Sequence, residues 1–137
     1  MTKKIAIIGG GNLGTAIAEG LLKSRFCQPR DIIITKRDTS TLKGLENRGV
    51  NVTRDNAAAV EKAAIIILAV KPYQVSEVLA GFREKLHAKH ILVSVVTGVL
   101  MSELVSVAGK KIPVFRAMPN TAIAIQQSMT CLSYSNA

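Results

Sequence analysis

Lys4-Ile5-Ala6-Ile7-Ile8-Gly9-Gly10-Gly11-Asn12-Leu13-Gly14 is the stretch whose reading decides the fold. Its first half is a continuous aliphatic run, the pattern of a strand buried on both faces. Its second half spaces Gly9, Gly11 and Gly14 as G-x-G-x-x-G. From Asn12 to about Lys23 the apolar residues recur at helical spacing, with Leu13, Ile17 and Leu21 on one face and Ala16 and Ala18 between them. A strand that turns through glycines into a helix gives the motif its mechanical meaning. Gly9 permits the tight turn, Gly11 lets the backbone approach a pyrophosphate, and Gly14 lets the helix lie against the strand. Gly10, Asn12 and Leu13 complete the loop, and the helix start points free N–H groups at the phosphates.

Outward from that stretch, short aliphatic runs alternate with helical patterns. Strands are predicted at Lys4–Gly9, Asp31–Thr35, Val50–Thr53, Ile65–Val70, Ile91–Val96 and Ile112–Arg116, with an edge-like seventh at Ser128–Ser133. Helices are predicted at Asn12–Lys23, Thr39–Arg48, Ala57–Ala63, Pro72–Leu86 and Met101–Val107. Ala122–Ile125 is apolar without a clear period. Such alternation makes βαβ units and a parallel sheet, and right-handed crossovers leave few topologies. Together with the glycine loop it gives an α/β fold, a Rossmann-type, doubly wound, mainly parallel sheet with strand order 3-2-1-4-5-6. The whole chain, 1–137, reads as one dinucleotide-binding domain.

Composition narrows the function classes. The 137 residues carry 18 Lys and Arg against 9 Asp and Glu, a formal net charge of +9. Apolar residues at 48% and charged ones at 20% describe a globular chain rather than a disordered one. Aromatics are 4% with no Trp, so the core is aliphatic and stacking platforms for single-stranded nucleic acid are poorly supplied. Lys3-Lys4, Lys36-Arg37, Lys71 and Lys110-Lys111 are scattered, so neither a nucleic-acid stripe nor a membrane-binding basic arm is expected. The apolar run behind Met1-Thr2-Lys3-Lys4 is too short for a secretory leader, which needs roughly 7–15 apolar residues. The longest apolar run, Ala63–Val70, falls well short of the ~18 residues of a membrane span. Cys27 and Cys131 make no disulfide framework and no metal-ligand spacing, so reduced thiols in a cytoplasmic protein are expected, with Cys131 in the core. His87 and His90, on a helix end and a strand start, read as surface or capping residues. Ser94 receives no role, and no catalytic nucleophile or metal ligand is assigned.

Two further segments refine the ligand. A free ribose 2′-OH is usually met by an acid about 20 residues past the glycine motif. Here the second strand ends Thr35-Lys36-Arg37, with Asp38 beyond the tip. Arg37, with Lys36 beside it, suits a 2′-phosphate, because a guanidinium grips phosphate through two parallel hydrogen bonds. NADP(H) is therefore expected over NAD(H). Ala69-Val70-Lys71-Pro72 closes the fourth strand, beside the point where strand order reverses and ligands sit. Lys71 is placed beside the ribose or nicotinamide.

Ile7 to Gly14, Leu68-Ala69-Val70-Lys71-Pro72, Ser94-Val95-Val96-Thr97-Gly98-Val99 and Arg116-Ala117-Met118-Pro119-Asn120-Thr121 together resemble the pyrroline-5-carboxylate reductases, in order and in register over essentially the whole chain. The resemblance implies reduction of the C=N bond of 1-pyrroline-5-carboxylate to L-proline with NADPH or NADH, in proline biosynthesis. It implies that Gly9 to Leu13 hold the pyrophosphate, that Arg37 takes the adenosine ribose, and that Asn56 lies near the adenosine half. Ala69, Val70, Lys71 and Pro72, with Val96, Thr97 and Gly98, would line the nicotinamide side. Met118, Pro119, Asn120 and Thr121 would border the place where nicotinamide meets the imino-acid substrate. Two positions depart from the family pattern: Ala122 stands where proline is common, and Thr97 where alanine is common. The resemblance also implies a helical second domain that dimerises, which nothing after Ser133 resembles. Full-length protein is then expected to be a homo-oligomer, and this chain alone to bind cofactor with little or no turnover. The competing readings are a non-catalytic module sensing NADP(H), and a related reductase acting on a hydroxy acid or a deazaflavin.

Overall fold

Strand β1, Ile5–Ile8, lies inside a seven-stranded sheet with strands on both sides, and none of its side chains is more than 3% exposed. The computed structural model describes residues 3–109 and 112–135; Met1-Thr2 and the Lys110-Lys111 pair lie outside them. The other strands are β2 (Ile32–Thr35), β3 (Asn51–Thr53), β4 (Ile65–Leu68), β5 (Ile91–Ser94), β6 (Val114–Met118) and β7 (Cys131–Tyr134). The helices are α1 (Asn12–Lys23), α2 (Lys43–Glu46), α3 (Asn56–Lys62), α4 (Val75–Phe82) and α5 (Met101–Ala108). Strand order is β3-β2-β1-β4-β5-β6-β7; the first six run parallel and β7 runs antiparallel to β6. This is the doubly wound Rossmann-type sheet the glycine loop predicts, with one antiparallel strand added at the edge.

Alternation of side chains along the strands builds two cores. Ala6, Ile8, Ile66, Leu68 and Leu92 meet Val60 of α3, Leu79 and Phe82 of α4 and Leu104 of α5. Ile5, Ile7, Ile32 and Ile34 face the other way, toward Ile17 and Ala18 of α1 and Leu45 of α2. The period of two along each strand thus serves both layers, which is why the strands read as unbroken aliphatic runs.

Four sequence expectations need correction. The helix over Thr39–Arg48 is a 3-10 turn, Thr39–Leu42, followed by only one turn of α-helix, because Ser, Thr and Gly44 are poor helix formers. The helix over Pro72–Leu86 is likewise tightened to 3-10 geometry at both ends, around Val75–Phe82. The sixth strand starts at Val114 rather than Ile112, since Pro113 has no N–H to give to the ladder. Cys131 is exposed, not in the core: β7 is an edge strand with all four residues open to solvent. His90 is not a surface residue. It is fully buried, its Nδ1 accepts the His87 N–H at 3.1 Å, and its ring stacks on that of exposed His87 with centroids 3.7 Å apart.

Candidate functional site

The carboxyl ends of β1, β2, β4 and β5 frame a cleft of about 590 Å³. Backbone bonds tie its rim together. Gly10 N–H donates to the Thr35 carbonyl at 2.7 Å, and Gly9 N–H to Thr35 Oγ1 at 3.3 Å. On the other side of β1, Ala69 N–H donates to the Ile8 carbonyl at 2.8 Å, and Val95 N–H to that of Leu68 at 3.0 Å. Gly9 has φ +111°, and a Cβ there would stand 2.5 Å from the Ala69 carbonyl oxygen, so the turn after β1 has no room for a side chain. A Cβ at Gly14 would run into the Gly9 carbonyl oxygen, so α1 is seated directly on the turn.

The start of α1 is built for an anion. Its cap, Gly11, offers no side chain to the first N–H groups, and no acidic residue occupies the first turn. Those groups therefore stay available, at the positive end of a twelve-residue helix. A Cβ at Gly11 would meet no protein atom within 4 Å. The position borders the cleft as bare backbone, which is room that a closely held pyrophosphate needs.

Most of the residues named from sequence converge here. Gly9, Gly10, Gly11, Asn12 and Leu13 line the cleft from β1 and α1, and Lys36 and Arg37 from the tip of β2. Asn56 lines it from the start of α3, whose cap Asp55 accepts the Ala58 N–H at 3.0 Å. Ala69, Val70, Lys71 and Pro72 enter from β4, and Val96 and Thr97 from β5. Three lie apart. Gly14 is behind the turn rather than on the lining. Gly98 lines a neighbouring groove of about 560 Å³ with Val99, Ser102 and Glu103, which meets the main cleft at Pro72. Asn120 is not on the lining; its Oδ1 caps the 3-10 turn Thr121–Ile125 by accepting the Ala122 N–H at 3.1 Å. Ser94, left without a role, is buried and accepts the Val96 N–H through Oγ at 3.3 Å, holding the end of β5.

Several lining residues were not named from sequence: Thr35, Arg54, Gln74, Val78 and Val95. Arg54 directly follows β3 as Lys36 follows β2, so the strand-tip rule applied to the third strand finds it. Gln74 and Val78 arrive on α4 and its leading turn, and no local pattern marks them.

The end of the cleft at the tips of β2 and β3 is basic, with Lys36, Arg37 and Arg54 on its lining. Lys36 Nζ donates to Thr41 Oγ1 at 2.8 Å. The carboxylate of Asp38 is held below its usual range by the Ser40 hydroxyl and N–H, helped by Lys36 and Arg54. The ion pairs of the described residues, Lys43–Glu46, Glu19–Arg48, Arg83–Glu84 and Glu61–Lys85, all lie elsewhere. Among the described residues no three His, Cys, Asp or Glu side chains gather to hold a metal, and no helix is long and apolar enough to cross a membrane. The site therefore offers backbone donors and cations to an elongated polyanion.

Known proteins align with nearly the whole chain. Residues 4–98 match the family described as NADP oxidoreductase coenzyme F420-dependent. Pyrroline-5-carboxylate reductase 1 of Dictyostelium discoideum is 42% identical over 94% of this chain and 23% of its own length. A pyrroline-5-carboxylate reductase of Coxiella burnetii superposes with a TM-score of 0.91 at 32% identity, over 98% of this chain and 50% of that one. A Plasmodium falciparum pyrroline carboxylate reductase with NADP bound shares the fold, with a TM-score of 0.88 at 21% identity over 98% of this chain and 48% of that one. The chain thus spans half or less of the length of these relatives. The reductase likeness read from four short motifs extends over nearly every residue, and the chain belongs to the family described as NADP oxidoreductase coenzyme F420-dependent.

Proposed function

We propose that this chain is the dinucleotide-binding part of an NAD(P)H-dependent imine oxidoreductase that reduces 1-pyrroline-5-carboxylate to L-proline. The observation that carries the reading is the convergence of three strand tips on one cleft: the glycine loop after β1, Ala69–Pro72 after β4 and Val96-Thr97 after β5. The donor set fits the cofactor. An uncapped helix start suits a pyrophosphate, and the bare backbone at Gly11 leaves space for it. When bound, the cofactor supplies the hydride, so the protein's task is to orient and to exclude water. In this reading Lys71, exposed at the cap of its turn, lies toward the ribose and nicotinamide, while Asn56 faces the adenosine half. Arg37 favours NADP(H) over NAD(H) through the 2′-phosphate. The similarity to the pyrroline-5-carboxylate reductases of Dictyostelium and Coxiella supports the substrate. The rest of the imino-acid pocket and the homo-oligomer contacts are assigned to a second, helical domain.

The test is NADPH oxidation with pyrroline-5-carboxylate, run on this chain and on its full gene product beside direct cofactor titrations. Tight NADPH binding by the chain, with turnover confined to the longer protein, is the expected result. Robust steady-state turnover by the chain alone would overturn the requirement for a second domain. Binding by both proteins with turnover by neither would favour a sensing role.

A further inference from the structure

We propose that Arg54 is a second recognition residue for the ribose 2′-phosphate, acting with Arg37 across the tips of β2 and β3. The proposal rests on the dinucleotide reading of the cleft and adds a specificity-determining residue to it. The register of the two strands sets the two residues on neighbouring strand tips. Thr35 pairs with Thr53, and Lys36 N–H donates to the Thr53 carbonyl at 3.2 Å. Neighbouring strands run ~4.8 Å apart, so Arg37 and Arg54 leave adjacent tips within one residue of the same level. Both line the main cleft, and both also line a shallower groove of about 340 Å³ that continues past Asn56 to Gln74 and Glu77.

The acids nearby form no ion pair with either guanidinium, although Asp38 lies close enough to feel the Arg54 charge. Asp38 spends its carboxylate on Ser40, accepting its N–H at 3.0 Å and its hydroxyl at 2.6 Å. Asp55 caps α3. Glu77 borders the groove from α4, yet no carboxylate of the described residues lies within 4 Å of either guanidinium. Lys36 is engaged with Thr41. Two like charges thus line one cleft without an ion pair, an arrangement that one doubly charged anion satisfies. A phosphate monoester has the charge and the oxygens to receive two guanidinium forks. The pyrophosphate has its own donors at the start of α1, beside β1, whereas the arginines follow β2 and β3, one and two strands away.

The experiment is calorimetric titration of NADPH, NADH, adenosine 2′,5′-bisphosphate and 5′-AMP into the chain and its Arg54→Ala, Arg54→Lys and Arg37→Ala variants at fixed salt. Arg54→Ala is expected to weaken NADPH and the bisphosphate about tenfold or more, with NADH and 5′-AMP changed by less than about twofold. Arg54→Lys is expected to recover only part, because an ammonium has no fork. Retained NADH affinity certifies that each variant is folded. Equal weakening of NADPH and NADH, or an Arg54→Ala variant as tight for NADPH as the parent, would overturn the proposal while leaving the cleft as a dinucleotide site. A parent chain that binds neither dinucleotide would overturn the reading of the cleft, and this proposal with it.

Discussion

A methyl group at position 14 would meet the carbonyl oxygen of Gly9, whereas one at position 11 would meet nothing within 4 Å. The same one-carbon change should therefore have opposite signatures at two residues of one motif. Gly14→Ala is expected to cost about 1–3 kcal/mol of stability, or more if α1 cannot shift. Gly11→Ala should stay within about 1 kcal/mol of the parent, the scale of a poorer helix cap, yet lose dinucleotide affinity. Urea unfolding and cofactor titration of the two variants check this. The two thiols make a second contrast. Cys131 is exposed on β7, and Cys27 is buried, its thiol pushed up by burial and by the Asp31 charge. One thiol should react rapidly with a disulfide reagent in the folded protein, and the second only on unfolding. Two fast thiols would contradict the burial of Cys27.

At the scale of elements, α4 shows how packing overrides pattern. Its α-helical part is eight residues, yet Val75, Leu79 and Phe82 are buried, with Phe82 only 1% exposed. Phe82→Ala should cost about 3–5 kcal/mol, read from denaturant midpoints at constant m-value. Existence and order of the elements were legible in the sequence because β1, β2 and β4 are unbroken aliphatic runs and Gly9–Gly14 has only one mechanical use in that context. Their ends were less legible. The tightening at Pro72–Gln74 depends on how the chain leaves β4, and the fate of β7 depends on whether anything lies over it. The cleft was legible where it is made of strand tips. Gln74 and Val78 were hidden because a crossover helix brings them there, and Asn120 was drawn in by a motif whose side chain caps its own turn.

At the scale of the molecule, the two rims of the sheet differ in kind: the carboxyl rim carries the cleft, and the amino rim carries a buried imidazole at the start of β5. Burial, then the neighbouring His87, holds the His90 pKa below its ordinary 6.5. Its Nε2 lies without a well-aligned partner, near the Val60 and Ala63 carbonyls at the end of α3. The unfolded chain therefore takes up this proton first as pH falls. The stability contributed by neutral His90 is full above pH 6.5 and declines below it, toward the lower folded-state value. Thermal midpoints of the parent should drop through that window, and His90→Asn should flatten the dependence; an unchanged slope would exclude His90 as its source. The strand order has a consequence of another sort, for a chain emerging from a ribosome. β1 is synthesised first but sits between β2 and β4, so its two hydrogen-bonding edges are not both filled until Leu68 has been made. β1 is thus the strand whose edges wait longest unpaired, and it is there that a nascent-chain chaperone has most to hold.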